Sequence, residues 1–327
     1  MKLLVTGAAG YIGSVVSELA LAAGHEVVAI DDLRAGNRLA VPPAAPFVQG
    51  SMGDPAALAQ AFAHGPIDAV LHLAAEAAIE ASVTDPAVYF KANLVDSLVL
   101  LDAMRANGVS RLVFSSTAAT YGEPKGPEPM DETHPQRPIN AYGESKLMLE
   151  TCLRWYHRAY GLKFIAFRYF NAAGATAERG EARTHETHLL PIALDAVAGR
   201  RPPLQIFGSD YPTPDGTCIR DYVHVIDIAR AHLLAVEQVD AKGTGFYNIG
   251  SESGYTVRQV VDAVSRVVGR EVPAVPANRR PGDPAVLVAS SQRLRKELGW
   301  TPVASDLDTI IRSAWLWRQQ HPRGYDA

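Results

Sequence analysis

Two cysteines, Cys152 and Cys218, are too few and too far apart for a disulfide framework or a thiolate metal site. Such scarcity fits a reducing compartment. No run approaches the ~20 apolar residues of a membrane-spanning helix. Basic residues do not dominate: 31 Lys and Arg stand against 35 Asp and Glu, interspersed, for a net charge of -4, so there is no cationic footprint for nucleic acid. There is no internal repeat and no low-complexity linker. The opening MKLLVTGAAG enters a strand without a positive leader, apolar core or cleavage site, so no signal peptide is expected. These absences predict a cytoplasmic protein with no nucleic acid, membrane or metal among its partners. What remains is an ordinary globular composition, 47% hydrophobic and 20% charged. At 327 residues the chain exceeds the ~250–300 at which single cores stop growing, which predicts two lobes.

The first apolar stretch, residues 2–6, runs into Gly7-Ala8-Ala9-Gly10-Tyr11-Ile12-Gly13 and then a helical pattern over 14–23. A strand, a glycine turn and a helix N-terminus present backbone N–H groups and a positive dipole end to a pyrophosphate. A second strand over 27–30 ends at Asp31 and Asp32, the former 18 residues beyond Gly13. A carboxylate there is placed to bond an adenosine ribose 2′-hydroxyl and to repel a 2′-phosphate, which selects NAD over NADP. Arg34 and Arg38 read as solvated loop charges.

Strands over 47–49, 69–73 and 111–115 alternate with helices over 55–63 and 86–107. The alternation predicts right-handed βαβ crossovers: an α/β, doubly wound parallel sheet of Rossmann type, with ligand beyond the strand ends where the loops from Gly7, Asp31, Leu73 and Ser115 converge.

Asn140-Ala141-Tyr142-Gly143-Glu144-Ser145-Lys146 sets Tyr142 and Lys146 four apart at the start of a long helix, on one face. An ammonium beside a phenol favours the phenolate, and a pKa lowered from about 10 toward neutrality makes tyrosine a usable base. A Tyr–Lys pair alone reads as amphipathic decoration. Thr117, 25 residues before Tyr142 at a strand's carboxyl end, supplies the hydroxyl that makes the trio catalytic in pattern. Residues 123–138, rich in proline, read as a surface loop bordering the cleft. From Arg168 the pattern changes, and the irregular charged segment 177–187 marks the departure toward a second, smaller lobe. The domain reading is 1–170, with 221–249 returning to it, for the dinucleotide, and 171–220 with 250–327 for the substrate.

VTGAAGYIG, FSSTAATYG, YGESK, RYFNAAGA, DYPTPDGTCIRDYVHV and RRPGD follow in one order over nearly the whole chain. Together they resemble the extended short-chain dehydrogenase/reductases, most closely the UDP-galactose (UDP-glucose) 4-epimerases. The resemblance implies tightly bound NAD, held by Gly7, Gly10, Tyr11, Ile12, Gly13, Asp31, Asp32, Leu73, Ala74, Ala75, Asn93, Ser115, Tyr142, Lys146 and Tyr169. It implies that Tyr142 takes the proton from the sugar 4-hydroxyl, with Lys146 lowering the tyrosine pKa and Thr117 bonding the 4-oxygen. A 4-keto sugar would then turn over within the site. The UDP-sugar would be gripped by Arg220 and Arg280 at the diphosphate, Asn171 at a phosphate oxygen, Phe207, His188, Leu189 and Gln205 on the uracil side, and Asp283 at the ribose. Leu287 would be the gate that admits or excludes N-acetyl sugars.

The chain departs from the family at Ala77, where a lysine or serine often stands, and at Ser51, where an aspartate often meets adenine. A UDP-N-acetylhexosamine or UDP-glucuronate 4-epimerase is the near alternative. Ala118 and Ala119, where dehydratases and decarboxylases carry an acid, argue against those chemistries, and a non-catalytic NAD sensor is the reading from another class. The resemblance also implies a homodimer through the helices carrying residues 93–104 and 142–156.

Overall fold

The computed structural model describes all residues except 125, 127–128, 184–185, 281–282 and 326–327. Seven parallel strands form the main sheet: β1 (Lys2–Thr6), β2 (Glu26–Asp31), β3 (Phe47–Gln49), β4 (Ala69–His72), β5 (Arg111–Thr117) and β6 (Lys163–Tyr169), joined at the edge by a later strand, Gly245–Ile249. In spatial order β1 lies beside β4, so the chain winds outward through β2 and β3, crosses back, and winds the other way. That reversal opens a crevice at the strand carboxyl ends.

Helices α1 (Tyr11–Ala22), α2 (Pro55–Phe62), α3 (Ile79–Thr84), α4 (Pro86–Phe90), α5 (Asp96–Ala106) and α6 (Ala141–Tyr160) make the crossovers. Alternation along β1 sends Leu3 and Val5 into one core layer with Val15 and Val16 of α1, and Leu4 into the other with Leu100 of α5 and Leu149 of α6. The expected helix over 86–107 is interrupted by a π-helical turn at Lys91–Val95 that carries Asn93. Such insertions cluster at functional sites.

Beyond β6 come β7 (Asn171–Ala173), α7 (Leu189–Val197), β8 (Leu204–Phe207), β9 (Ile219–His224), α8 (Val225–Lys242), β10 (Gly245–Ile249), β11 (Gly254–Thr256), α9 (Val257–Val268), β12 (Ala274–Ala277), β13 (Val286–Leu287), α10 (Gln292–Leu298) and α11 (Leu307–Gln320). α8 shares the core layer of α1, and β10 pairs with β6 as the sheet's edge. β7, β11 and β13 join β9 in a second sheet, β8 pairs with β12, and α7, α9 and α11 close a third core. Among the described residues no helix is long and apolar enough to cross a membrane.

Candidate active site

The glycine turn is required by contact rather than by flexibility alone. Gly7 has φ 71, and a Cβ there would fall 2.6 Å from the Ala74 nitrogen; one at Gly13 would fall 2.0 Å from the Gly7 carbonyl oxygen. Gly10 caps α1 without a side-chain bond, and no acid stands in the first turn, so the helix's first N–H groups lie open beside Tyr11 and Ile12. This cradle suits the paired phosphates of a dinucleotide. Asp31 accepts from Ala9 N at 3.0 Å and Leu33 N at 2.8 Å, while burial pushes its carboxyl up. Asp32 is instead engaged by Arg34 at 2.7 Å, and Arg34 also reaches Glu76 at 3.1 Å. The two adjacent acids therefore differ: Asp31 braces the glycine loop, and Asp32 belongs to a surface pair. Arg38 lies over the Phe47 ring.

Leu73 N and Ala74 N bond Thr6, which leads Ala75 and Glu76 along the cleft. Asn93 is buried and uses both ends of its amide on the Glu76 backbone, with Ser145 as a second acceptor. It braces that loop from the π-helical turn.

α6 starts where Asn140 accepts from Gly143 N at 2.8 Å and stops at Gly161, whose φ of 71 a glycine adopts without strain. Gly143 lets the helix start press on the 118–120 turn, where a Cβ would meet the Ala119 oxygen at 2.4 Å. That approach places Tyr142 beside Thr117, at the end of β5. Lys146, one turn on, is buried and donates to the Ser115 carbonyl at 2.9 Å; burial pushes it down to about 7, against the pull of Glu150. Burial raises Tyr142, and the groups that oppose the rise are Thr117 and Arg183. The Lys146 Nζ is directed at the Ser115 carbonyl. Tyr169 turns its hydroxyl to Ser115 at 2.5 Å and His232 at 2.7 Å, inside the core.

The residues expected at a UDP-sugar divide between the second sheet, which carries Arg220, Asn171 and Leu287, and the β8–β12 pair, which carries Gln205 and Phe207. Arg220 bonds Asp283 at 2.7 Å and the Pro284 carbonyl at 2.8 Å. Arg280 lies over the Phe207 ring at 4.1 Å, with Gln205 exposed on the same strand. Asn171 donates to the Asp221 carbonyl at 2.7 Å. Leu287 pairs in register with Arg220 and packs against a cluster that holds Ala118 and Tyr121, directly beyond Thr117. Within the RRPGD motif, Pro281 and Gly282 lie outside the described residues. Of the two positions where the chain departs from the family, Ala77 is exposed, and Ser51 accepts from Gly53 N at 3.1 Å.

Arg183, Glu181 and Glu186 escaped the sequence reading, which took 177–187 as a charged departure; Thr184 and His185 lie outside the described residues. Glu181 and Glu186 are buried, Arg183 bonds Glu181 at 2.8 Å, and His188 lies 2.7 Å from Glu186. The hydrogen bond to Glu186 and the Glu181 charge outweigh burial and push His188 up. Glu181, Glu186 and His188 offer three ligand atoms within 4.8 Å, but Arg183 brings a positive charge to this group itself. Leu189 follows as the first residue of α7. Alternating acids and bases were the available signal, and spacing does not tell a buried acid from a solvated one.

A model of the NAD dependent epimerase/dehydratase family matches residues 3–250. The chain is 48% identical to the UDP-glucose 4-epimerase of Lacticaseibacillus casei over 99% of both chains. It is also 48% identical to that of Corynebacterium glutamicum, over 96% of this chain and 95% of the relative. The solved structure of UDP-glucose 4-epimerase from Bifidobacterium longum in complex with NAD+ and UDP superposes with a TM-score of 0.93, at 34% identity, over 99% of this chain and 100% of that one. With a glycine cradle, a Thr117–Tyr142–Lys146 trio and these likenesses over nearly its full length, the chain belongs to the NAD dependent epimerase/dehydratase family, among the UDP-glucose 4-epimerases.

Proposed function

We propose that this protein interconverts UDP-galactose and UDP-glucose by inverting C4 of the hexose, with Tyr142 as the base. The observation that carries the reading is the placement of Tyr142 beside Thr117 at the carboxyl end of β5, next to the glycine cradle. Bound NAD supplies reversible acceptance of the C4 hydrogen, so the net reaction is redox-neutral. Tyr142 takes the proton of the 4-hydroxyl and returns it, Thr117 bonds the 4-oxygen, and Lys146 holds the nicotinamide ribose and favours the phenolate of Tyr142. Gly7, Gly10, Gly13 and the N–H groups at Tyr11 and Ile12 bind the cofactor's phosphates, Asp31 its ribose, and the 73–75 loop lines it.

Arg220, Arg280 and Asn171 bind the diphosphate, Phe207, Gln205, His188 and Leu189 the uracil side, and Asp283 the ribose. Such a grip on the nucleotide leaves the sugar free to present either face. In this division, residues 1–170 with 221–249 serve the cofactor, and 171–220 with 250–327 the nucleotide sugar. We also assign the protein to the cytoplasm and to a homodimer. Val95, Met148 and Trp155 are exposed on the π-helical turn and α6. Exposed apolar side chains on neighbouring helices suit a second copy of the chain.

The test is incubation of the purified protein, without added cofactor, with UDP-galactose, UDP-GalNAc and UDP-galacturonic acid in turn, with products read by chromatography. Conversion of UDP-galactose, lost in Tyr142→Phe with NAD retained, is the expected result. Conversion of only the N-acetyl or uronic substrate moves the substrate. No conversion of any, with NAD supplied, overturns the reading in favour of a dehydratase or an NAD sensor.

A further inference from the structure

The stretch from Gly174 to Glu181 is tied at every second or third residue to distant parts of the chain. Tyr11 Oη donates to the Gly174 carbonyl at 2.6 Å. Thr176 Oγ1 donates to Glu18 Oε2 at 2.8 Å. Arg179 is 8% exposed, donates through Nε to the Ala40 carbonyl at 2.9 Å, and sets its second nitrogen 3.1 Å from Glu18. Tyr325 Oη accepts from Gly180 N at 3.1 Å and lies 3.2 Å from the Gly180 oxygen. Behind Gly180 the Trp317 indole is so close that a Cβ would fall 2.3 Å from it.

Tyr11, Ser14 and Glu18 stand at i, i+3 and i+7, a single stripe along α1. The stretch lies along that stripe. Its Ala40 contact belongs to the turn whose Asn37 N bonds the Ala9 carbonyl at 3.0 Å, so the glycine loop is held from two sides. Neither Arg179, Glu18, Thr176 nor Tyr325 has a part in the proton chemistry.

We propose that residues 174–181 form a strap that keeps NAD in place between turnovers, with Arg179 as the positioning residue that locks α1 through Glu18 and Ala40. A dinucleotide leaves when the glycine loop and α1 draw away from the β7–α7 connection. That movement breaks the Tyr11, Thr176 and Arg179 contacts together, because one rigid helix carries both Tyr11 and Glu18, while Tyr325 holds the strap itself in shape through Gly180. The guanidinium is almost out of water, so its bonds are of the strong, charge-assisted kind. Retention is useful in an epimerase because the cofactor is restored within each turnover. The inference rests on the reading that the glycine loop holds NAD.

The experiment uses the full-length protein, Arg179→Ala, Arg179→Lys and Tyr325→Phe. Exchange of bound NAD for isotopically labelled NAD is followed by mass spectrometry of the released cofactor, and turnover is measured at saturating NAD. Arg179→Ala and Tyr325→Phe should each exchange about ten-fold faster, the equivalent of one lost charge-assisted or buried hydrogen bond. Arg179→Lys should recover part of the slow exchange, and turnover at saturating NAD should stay at the parent's value. Should Arg179→Ala fail to fold, Tyr325→Phe removes only a hydroxyl and carries the test. Exchange at the parent's rate in the folded variants overturns the strap, as does a loss of turnover that added NAD does not restore. A parent protein that releases no NAD on denaturation, and that converts no UDP-sugar with NAD supplied, overturns the cofactor reading beneath it.

Discussion

The Lys146 ammonium donates to the Ser115 carbonyl oxygen at 2.9 Å, one helical turn beyond Tyr142 and out of contact with water. A buried ammonium is costly, and burial has brought this one down to about 7 from the usual lysine range. The neutral form is the one that folding favours, so the destabilisation is full below about 7 and fades as pH rises from there toward the ordinary lysine range. Lys146→Met should therefore raise the melting temperature while turnover falls by about 10²–10⁴-fold, the range of a lost acid–base group. A melting temperature that falls along with turnover would show that the ammonium stabilises the fold instead.

Leu287 stands between the Arg220 strand and the turn that follows Thr117. Leu287→Ala removes bulk at the proposed gate and should raise kcat/KM for UDP-GalNAc relative to UDP-galactose by about ten-fold. Leu287→Tyr should lower the same ratio. Ratios unmoved by both substitutions place the gate elsewhere.

Asp31 holds the glycine loop through Ala9 N and presents a carboxylate where NAD's ribose is proposed to lie. Asp31→Ser should weaken NAD binding and cut the preference for NAD over NADP by about 10–100-fold, the worth of a hydrogen bond to a charged group. Titration of cofactor-stripped protein with each dinucleotide measures it; an unchanged preference would move the selection to Asp32 or Arg34.

Three core histidines set the response to acid. Burial pushes His72 down to about 3 and His224 and His232 to about 4, so all are neutral in the fold and take a proton on unfolding. Their folded values lie below the ordinary 6.5. The stability they contribute is thus full above 6.5 and is lost as pH falls from there toward 3–4. Each contributes about 1.4 kcal/mol of lost stability per pH unit inside that window. Denaturant unfolding at pH 7.5, 6 and 5 should show the decline, and His232→Gln should flatten it. A flat profile in the parent would mean that these histidines are protonated in the fold.

The sheet lobe was legible from local pattern. Gly7, Gly10 and Gly13 have few alternative uses after a strand, and a 20-residue helix capped by Asn140 and Gly161 brings Tyr142 and Lys146 onto one face by its own pitch. Such signals lie within a few residues of one another, so sequence spacing carries them. The proximity of Thr117 to Tyr142 is of another kind: it needs Gly143 pressed against the Ala119 carbonyl, a contact between separate elements.

Tertiary structure alone decided which charges left water. Asp31 and Asp32 are neighbours in sequence, yet one faces the glycine loop and the other Arg34. Glu181 and Glu186 read as solvated within an irregular, charged segment and are buried against His188, while Arg179 of the same segment crosses to Glu18. Glu150 and Arg168 make a fully buried pair that helical or strand periodicity marks as nothing special. The sequence determined the turns, the helix faces and the alternation of strands with helices, because those follow from bonds between near neighbours; the strand order joins residues as far apart as Leu3 and Ala69. The protonation of Tyr142 and Lys146 and the strap along α1 depend on which distant segments exclude water from them, and only packing settles that.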